Sequence, residues 1–223
     1  MHGLYWLSPL IGVLAAVAGR ADVIWDNGSF DGQRGISSEK DNYLVVHGSF
    51  AADDAVLTTG YYLQEIRWWG AALINQYHSF ASYQAQFTIL GDDPNAGALY
   101  LSEPMAFDAT DTGTTFYSYR VYIGAVTVPD FYLAPGHYHF AVRLISNSGR
   151  NFQLSTGNGA VQGETIGLFQ GQDFWGGPPP PYWVTIQQFV GLTTDFAFSL
   201  HGIVPEPTAL LALLAIFCRA RSA

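Results

Sequence analysis

The sequence predicts an all-β protein whose body is a sandwich or barrel of short strands. Its 24 glycines and 11 prolines separate short runs rich in Val, Ile, Phe, Tyr and Thr, and a spacing of about ten residues between turn signals is typical of such folds. No stretch between Asp22 and Gly202 keeps a helical period over three turns. Both observations favour sheet throughout the body.

The predicted strands follow one another along the chain. Asp22–Trp25 reads as the first strand, directly after a run of small residues. The clearest of the others are rich in β-branched and aromatic residues. They are Tyr43–His47, Tyr62–Trp69, Tyr83–Leu90, Thr115–Ile123, His137–Ile145, Tyr182–Val190 and Asp195–His201. Apolar and polar side chains alternate in Tyr83–Leu90 and in His137–Ile145, which predicts one buried and one solvated face.

The N-terminal segment has the composition of a signal peptide. Leu4–Ala18 is apolar apart from Ser8, and small residues up to Ala21 fit the positions that a signal peptidase reads. Residues 1–21 are therefore predicted to form a signal-peptide helix that is cleaved after Ala21, since so short a run does not make a transmembrane anchor. We expect the chain to leave the cytoplasm.

The C-terminal segment combines three features in a fixed order. It opens with two prolines around one carboxylate, a stiff extended element because each proline fixes φ and restricts its predecessor. An uncharged apolar run follows, and then two arginines. In chain order these parts are Val204, Pro205, Glu206, Pro207, the run Thr208–Cys218, Arg219 and Arg221.

This order resembles the PEP-CTERM sorting tail of secreted bacterial proteins. The resemblance implies that residues 203–223 are a sorting tail with an apolar helix, which holds the precursor transiently in the inner membrane until an exosortase cuts near the Pro-Glu-Pro element. It also implies delivery to the cell surface or extracellular matrix of a bacterium. The alternative is a buried C-terminal helix with a basic end.

Removal of both ends makes an acidic chain more acidic. All 18 acidic residues lie within 22–206, whereas three of the nine cationic residues, Arg20, Arg219 and Arg221, lie in the processed ends. Such a surface repels nucleic acid and anionic lipid, so both are poor partners. The one cysteine, Cys218, lies in the tail, which leaves the processed chain without a thiol for disulfides or metal.

A second pattern, Ala52–Leu57 followed by Ile66–Gly70, resembles an Ala-Asp-Asp and Trp-Trp-Gly pattern of secreted β-sandwich proteins, many of which carry the same tail. The resemblance covers about Phe50–Gly202 and implies an antiparallel, jelly-roll-like β-sandwich with no established activity. We expect this domain to span residues 22–202. Within the pattern, Trp68 and Trp69 are neighbours on a strand and must point to opposite faces. One of them is therefore expected in the core.

Acidic turn residues make a structural Ca²⁺ site a candidate. Asp53 and Asp54 come just before a predicted strand, and Asp92, Asp93 and Asn95 lie in a turn with glycine and proline. Their oxygens are the hard ligands that Ca²⁺ takes, although neither segment fits the twelve-residue Ca²⁺ loop. The alternative is that these side chains bind local backbone, as turn residues do.

His137 and His139 are expected on one face of a strand, a spacing that suits a metal pair. Jelly-roll cupin enzymes have a similar His-x-His, but there a carboxylate follows a few residues on, where this chain has Ala141, Val142 and Arg143. The favoured interpretation is therefore two histidines on a half-solvated face.

Four prolines between aromatic residues form a rigid polyproline II segment before Trp183. Trp175, Trp183 and one of Trp68 or Trp69 are candidate stacking platforms for a sugar. The alternative is a rigid connection whose tryptophans close the end of the sandwich.

Nucleophilic catalysis finds no support, since no Gly-x-Ser-x-Gly and no Ser/His/Asp set occurs in a recognisable context. We therefore expect a non-enzymatic, exported surface or matrix protein, which family resemblance associates with exopolysaccharide and biofilm material. A carbohydrate-binding module is the alternative, and a histidine-ligated metal enzyme is the third hypothesis. The expected partners are signal peptidase and exosortase during export and an extracellular polysaccharide afterwards. No cofactor is expected apart from the candidate Ca²⁺.

Overall fold

The computed structural model of the chain describes residues 21–41, 48–146, 151–156, 165–170, 183–190 and 194–205. Within these ranges the chain is mostly strand, because its aromatic and β-branched runs fit a pleated, half-buried surface. The strands are β1 (Asp22–Asp26), β2 (Phe30–Ser37), β3 (Glu39–Asp41), β4 (Gly48–Leu57), β5 (Tyr61–Ala72), β6 (Gln84–Leu90), β7 (Ala98–Leu101), β8 (Asp108–Phe116), β9 (Tyr119–Leu133), β10 (Gly136–Ser146), β11 (Asn151–Thr156), β12 (Ile166–Gln170), β13 (Val184–Thr185) and β14 (Phe198–Ile203). One short α-helix, α1 (Ile186–Val190), lies in the same ranges, with two single 3-10 turns at Phe80–Ser82 and Pro94–Ala96.

The described strands form two sheets. In the first sheet the long β5 is central, with β9 and then β8 on one side. On the other side β14 pairs with the first part of β5 and β11 with its last part, and these strands are bordered by β1 and β2. All of these pairs are antiparallel.

The second sheet has the order β13, β12, β4, β10, β6 and β7, with β3 between one end of β4 and one end of β10. Its pairs are antiparallel apart from β3 with β10, which is parallel. The chain crosses from one sheet to the other repeatedly, since β4, β6 and β10 belong to the second sheet whereas β5, β9 and β11 belong to the first.

The main core lies between the two sheets. Leu63, Ile66 and Trp68 of the first sheet and Phe87 and Phe140 of the second belong to one cluster, and none of them is more than 2% exposed. Two smaller apolar clusters lie on the outer faces of the sheets. The prediction of an all-β body with strands that bury one face is confirmed.

The two adjacent tryptophans face opposite ways, as predicted. Trp68 is buried in the main core, where its indole Nε1 donates a hydrogen bond to the hydroxyl of Tyr122 at 3.2 Å. Trp69 is half-buried on the other face of β5, against the small cluster that contains Val121 and Leu154.

Gly124 leaves the space that the indole of Trp68 fills. The two residues are partners in the β5–β9 register, and a Cβ on Gly124 would lie 2.5 Å from Cε2 of Trp68. Gly124→Ala is expected to lower the free energy of unfolding by about 1–3 kcal/mol, because a rigid, buried ring has to move. Chemical denaturation measures this change.

Gly136→Ala is the matched control for that substitution. The added carbon would lie 3.4 Å from Tyr138, which is ordinary contact. A change below about 1 kcal/mol is therefore expected. Equal losses for Gly124→Ala and Gly136→Ala would contradict the packing that we assign to Trp68.

The prediction of one strand over Thr115–Ile123 is wrong. β8 ends at Phe116 and β9 begins at Tyr119, so the predicted segment contains a chain reversal. Tyr117 makes the reversal with φ of 53°, a left-handed conformation that glycine and asparagine adopt more often. The alternating pattern continues across the turn, which is why the sequence did not reveal it.

Two predicted strands near the C-terminus also differ from the structure. Tyr182–Val190 is wrong as a strand, since β13 holds two residues and α1 follows. The hydroxyl of Thr185 accepts a hydrogen bond from the backbone N–H of Gln188 at 3.1 Å, as a helix N-cap does. In Asp195–His201 the strand starts only at Phe198.

Two further predictions concern bounds. Asp53 and Asp54 lie inside β4 rather than just before a strand. Tyr43–His47 and both predicted terminal helices fall outside the described residues. In the part of the chain that is described, no helix has the length and apolar character that crossing a membrane requires.

Candidate functional site

Histidines and aspartates meet on the outer face of the second sheet. In the β4–β10 register His139 lies opposite Asp54, and His137 lies opposite Val56. Alternate residues of a strand share a face, and Tyr138, which lies between the two histidines, packs against the main core on the other face. The prediction that the two histidines share one face is therefore confirmed. We call Asp54, Asp92, His137 and His139 the His137 cluster.

The imidazole of His137 lies between two carboxylates. Its Nε2 is 2.6 Å from Oδ2 of Asp54, and its Nδ1 is 2.6 Å from Oδ1 of Asp92. Asp54 belongs to β4 and its side chain is only 3% exposed, whereas Asp92 follows β6 and its side chain is 86% exposed. One imidazole thus connects a buried strand position to a surface turn.

The electrostatics of this arrangement favour the charged imidazolium. Burial lowers the pKa of His137, but hydrogen bonds and charge from Asp92 and Asp54 outweigh that effect and hold the pKa above its ordinary value. This agrees with the geometry, because an imidazole donates from both nitrogens only when it is protonated. The two carboxylates therefore stabilise the protonated form of His137.

His139 contacts both His137 and the start of the 91–97 turn. Its ring centroid lies 4.8 Å from that of His137, and its Nδ1 lies 3.2 Å from the carbonyl oxygen of Gly91. The residue is buried. The prediction of a half-solvated face is correct for His137, whose side chain is 29% exposed, and wrong for His139, which is buried beside the carbonyl of Gly91.

The five candidate Ca²⁺ ligands do not converge on one point. Asp53 and Asp54 point to opposite faces of β4, and His137 occupies the space between Asp54 and Asp92. Asp93 accepts the backbone N–H of Asn95 at 3.0 Å, which is the local turn role considered as the alternative. Among the described residues no group of three or more His, Cys, Asp or Glu is arranged to hold a metal ion.

The side chain of Asn95 forms hydrogen bonds with the backbone of Trp183 rather than serving as a cation ligand. Its side-chain oxygen accepts the backbone N–H of Trp183 at 2.8 Å, and its amide nitrogen donates to the carbonyl of Trp183 at 3.3 Å. The indole of Trp183 packs against Phe50, with ring centroids 6.1 Å apart. Trp183 thereby covers a small apolar cluster on the outer face, which we call the outer cluster. Its members are Phe50, Ala52, Leu90, Ala141 and Ile166.

Asp53 ties the two sheets together from the opposite face of β4. It is fully buried, and its Oδ2 accepts from the amide of Asn27 at 2.9 Å and from the backbone N–H of Phe196 at 2.6 Å. Its Oδ1 accepts from the N–H of Asp54 at 3.0 Å and faces the hydroxyl of Thr165 at 3.4 Å. Burial, together with the nearby charge of Asp195, raises the pKa of Asp53 well above its ordinary value, although the N–H groups of Phe196 and Asp54 oppose the shift. Asp53 is a structural tie.

The candidate tryptophans do not form one platform. Trp68 lies in the core, so no sugar ring reaches it. Trp69 lies on the outer face of the first sheet and Trp183 on the outer face of the second. Trp175 falls outside the described residues. A stacking surface made from Trp68 or Trp69 together with Trp183 is thus contradicted by the opposite faces that they occupy.

Several other polar and aromatic contacts were not predicted from the sequence. Arg143 is buried, lies 3.9 Å above the ring of Phe50 and donates to Oε1 of Gln86 at 2.7 Å; burial lowers its pKa to about 10. On the first sheet Ser199 and His201 are hydrogen-bonded at 3.1 Å. The spacing of Ser199 and His201 was the only available signal, because residues two apart on a strand share a face.

The strands that bound the predicted body are neighbours. In the β1–β14 pair Asp22 lies opposite Gly202. The chain leaves β14 after Ile203, Val204 is 50% exposed, and Pro205 is exposed. The other predicted tail residues lie outside the described ranges; they are Glu206, Pro207, Arg219 and Arg221.

Comparisons of the chain with protein-family models, with curated proteins and with solved structures found no match.

Proposed function

We propose that the chain is the precursor of an exported, non-enzymatic protein of the bacterial cell surface or extracellular matrix. Signal peptidase removes residues 1–21, and an exosortase-type protease cuts the tail near Pro205, Glu206 and Pro207. The apolar N-terminal run and the ordered tail features support this route. The mature protein is a structural or exopolysaccharide-associated component of the biofilm.

The observation that carries the proposal is the pairing of Asp22 with Gly202. A cut after Ala21 leaves β1 whole, and a cut at the Pro-Glu-Pro element leaves β14 whole. The exposed Val204 and Pro205 put the start of that element on the surface, within reach of a protease. Asp22 and Pro205, the described residues next to the two proposed cuts, border one strand pair, which supports the proposal.

The finer fold assignment belongs to the same proposal. We assign the body to a jelly-roll-like sandwich flanked by a signal-peptide helix and a C-terminal apolar helix. The repeated crossing of the chain between the two sheets supports this assignment. A sandwich of this kind is a rigid support with two outer faces, which suits a matrix component.

Processing at both ends is tested by intact-mass spectrometry of the protein recovered from its host. The expected mass corresponds to a chain that starts at Asp22 and ends near Glu206, together with any attached glycan or lipid. Glu206→Ala is expected to leave the tail uncut, because the exosortase recognises the carboxylate between the prolines. A protein from the wild-type gene that is intact through Ala223 would contradict the sorting route.

The matched control is Glu103→Ala, which removes an exposed carboxylate far along the chain from the tail. It is expected to be processed like the wild type. The matrix role is tested separately by the location of the processed protein, which is expected in the extracellular polysaccharide fraction. Recovery of the processed protein only in the periplasm would contradict that role and leave the processing result unaffected.

A further inference from the structure

We propose that His137 is a pH-operated latch: its imidazolium, held between Asp54 and Asp92, fastens the 91–97 turn to β4, and loss of one proton releases the turn. The latch controls how firmly Trp183 is held on the outer cluster. It depends on the folded body alone and not on the export route.

The ring of His137 can donate a hydrogen bond from each nitrogen only when it is protonated. Both nitrogens of His137 lie 2.6 Å from a carboxylate oxygen. A neutral imidazole has one N–H, so its other nitrogen presents a lone pair. After deprotonation one of the two carboxylates therefore faces that lone pair, and its hydrogen bond is lost.

The difference in burial between Asp54 and Asp92 decides which hydrogen bond to His137 is lost. Asp54 is buried on β4, with its side chain 3% exposed, and a buried carboxylate without a donor is costly. Asp92 is 86% exposed and can be hydrated by water. The neutral ring thus keeps its proton toward Asp54 and releases Asp92, which frees the 91–97 turn.

Asn95 connects the 91–97 turn to the outer cluster. Asn95 lies three residues after Asp92 and holds both backbone polar groups of Trp183. Trp183 in turn packs against Phe50 and covers the outer cluster. Release of the turn weakens the grip on Trp183 and uncovers apolar surface on this face.

In the described part of the chain, titratable groups face His137 from three elements. Asp54 faces it from β4, Asp92 faces it from the turn after β6, and His139 lies beside it on β10 with its ring tilted by 53°. The two carboxylates raise the pKa of His137 above its ordinary value of 6.5 despite burial. Asp53 lies on the other face of β4, where its Oδ2 accepts a hydrogen bond from the backbone N–H of Phe196.

The sign of the pH dependence follows from that direction. A histidine whose pKa is raised in the closed state stabilises that state fully below pH 6.5 and loses this contribution as pH rises through the raised value. The latch is thus closed in mildly acidic solution and opens toward alkaline pH. The opening equilibrium shifts about tenfold for each pH unit between the open-state and closed-state pKa values.

The test is an NMR titration of ¹⁵N-labelled protein purified from its host, in buffer that contains EDTA. The ring nitrogens of His137 are expected to titrate with a midpoint above about 6.5. The protection factor of the Trp183 amide, corrected for the intrinsic pH dependence of exchange, is expected to fall with the same midpoint. Asp92→Asn is expected to lower the midpoint and flatten this fall, and the exposure of Asp92 makes the variant safe for folding.

Asp93→Asn is the matched control, since it removes a charge from the adjacent position and asparagine also caps turns. It is expected to leave the midpoint of His137 near the wild-type value. A wild-type midpoint at or below about 6.5 would overturn the latch. So would an unchanged midpoint in Asp92→Asn, or a protection factor for Trp183 that does not follow the titration.

Discussion

Asp53→Ala is expected to lower the free energy of unfolding by about 3–5 kcal/mol. The substitution removes the fully buried carboxylate that accepts hydrogen bonds from the N–H of Phe196 and from the amide of Asn27. Each hydrogen bond lost from a buried donor costs about 1–3 kcal/mol, and the empty volume adds to the loss. Relief from burying the carboxyl group offsets part of this total.

Urea denaturation measures the change in the free energy of unfolding. An unchanged m-value indicates that the wild type and the variant expose the same amount of surface on unfolding. Asp53→Asn keeps the shape and one acceptor oxygen, so a smaller loss of about 1–2 kcal/mol is expected. Asp111→Ala is the exposed control. It breaks the surface pair with Arg120 and is expected to cost no more than about 1 kcal/mol. A loss for Asp53→Ala as small as that of Asp111→Ala would show that Asp53 does not tie the sheets.

Trp68→Ala is the second large effect, with an expected loss of about 3–5 kcal/mol. The indole is 2% exposed. It makes an edge contact with the ring of Tyr122, with centroids 6.3 Å apart, and a tilted contact with the ring of Phe107, with centroids 5.4 Å apart. Its removal leaves a large cavity between the sheets. It also takes the hydrogen bond from the hydroxyl of Tyr122.

Trp69→Ala is the natural control, because it deletes the same side chain one position along the strand. Trp69 is only half-buried at the small outer cluster of the first sheet, so a loss of about 1–2 kcal/mol is expected. Equal losses in thermal or chemical unfolding would contradict the assignment of Trp68 to the core and Trp69 to the outer face.

Residue type and alternation predicted much of the fold. The alternating segment around His137 became β10, and the segment around Trp68 lies within β5. The strands β2, β3, β7, β11 and β12 and most of β8 were not predicted. Several of them are short or rich in polar residues, and such strands are fixed by pairing with neighbours rather than by their own composition.

The candidate site was predicted only in pieces. The sequence placed His137 and His139 on one face and singled out the aspartates, but it could not join them. Asp92 is 45 residues from His137 in the chain, and Asp54 is 83 residues away. Their meeting depends on the registers of β10 with β4 and with β6, which no local pattern encodes.

The sequence by itself determined the all-β character and the acidic balance of the body. It also determined that Trp68 and Trp69 lie on opposite faces of one strand and that His137 and His139 share a face. These properties follow from composition and from a period of two along a strand, both of which are local. Only the tertiary structure decided that Asp53 ties the sheets and that His137 bridges Asp54 and Asp92. Adjacent aspartates on one strand face different environments, and long-range register alone selects the partners that each one meets.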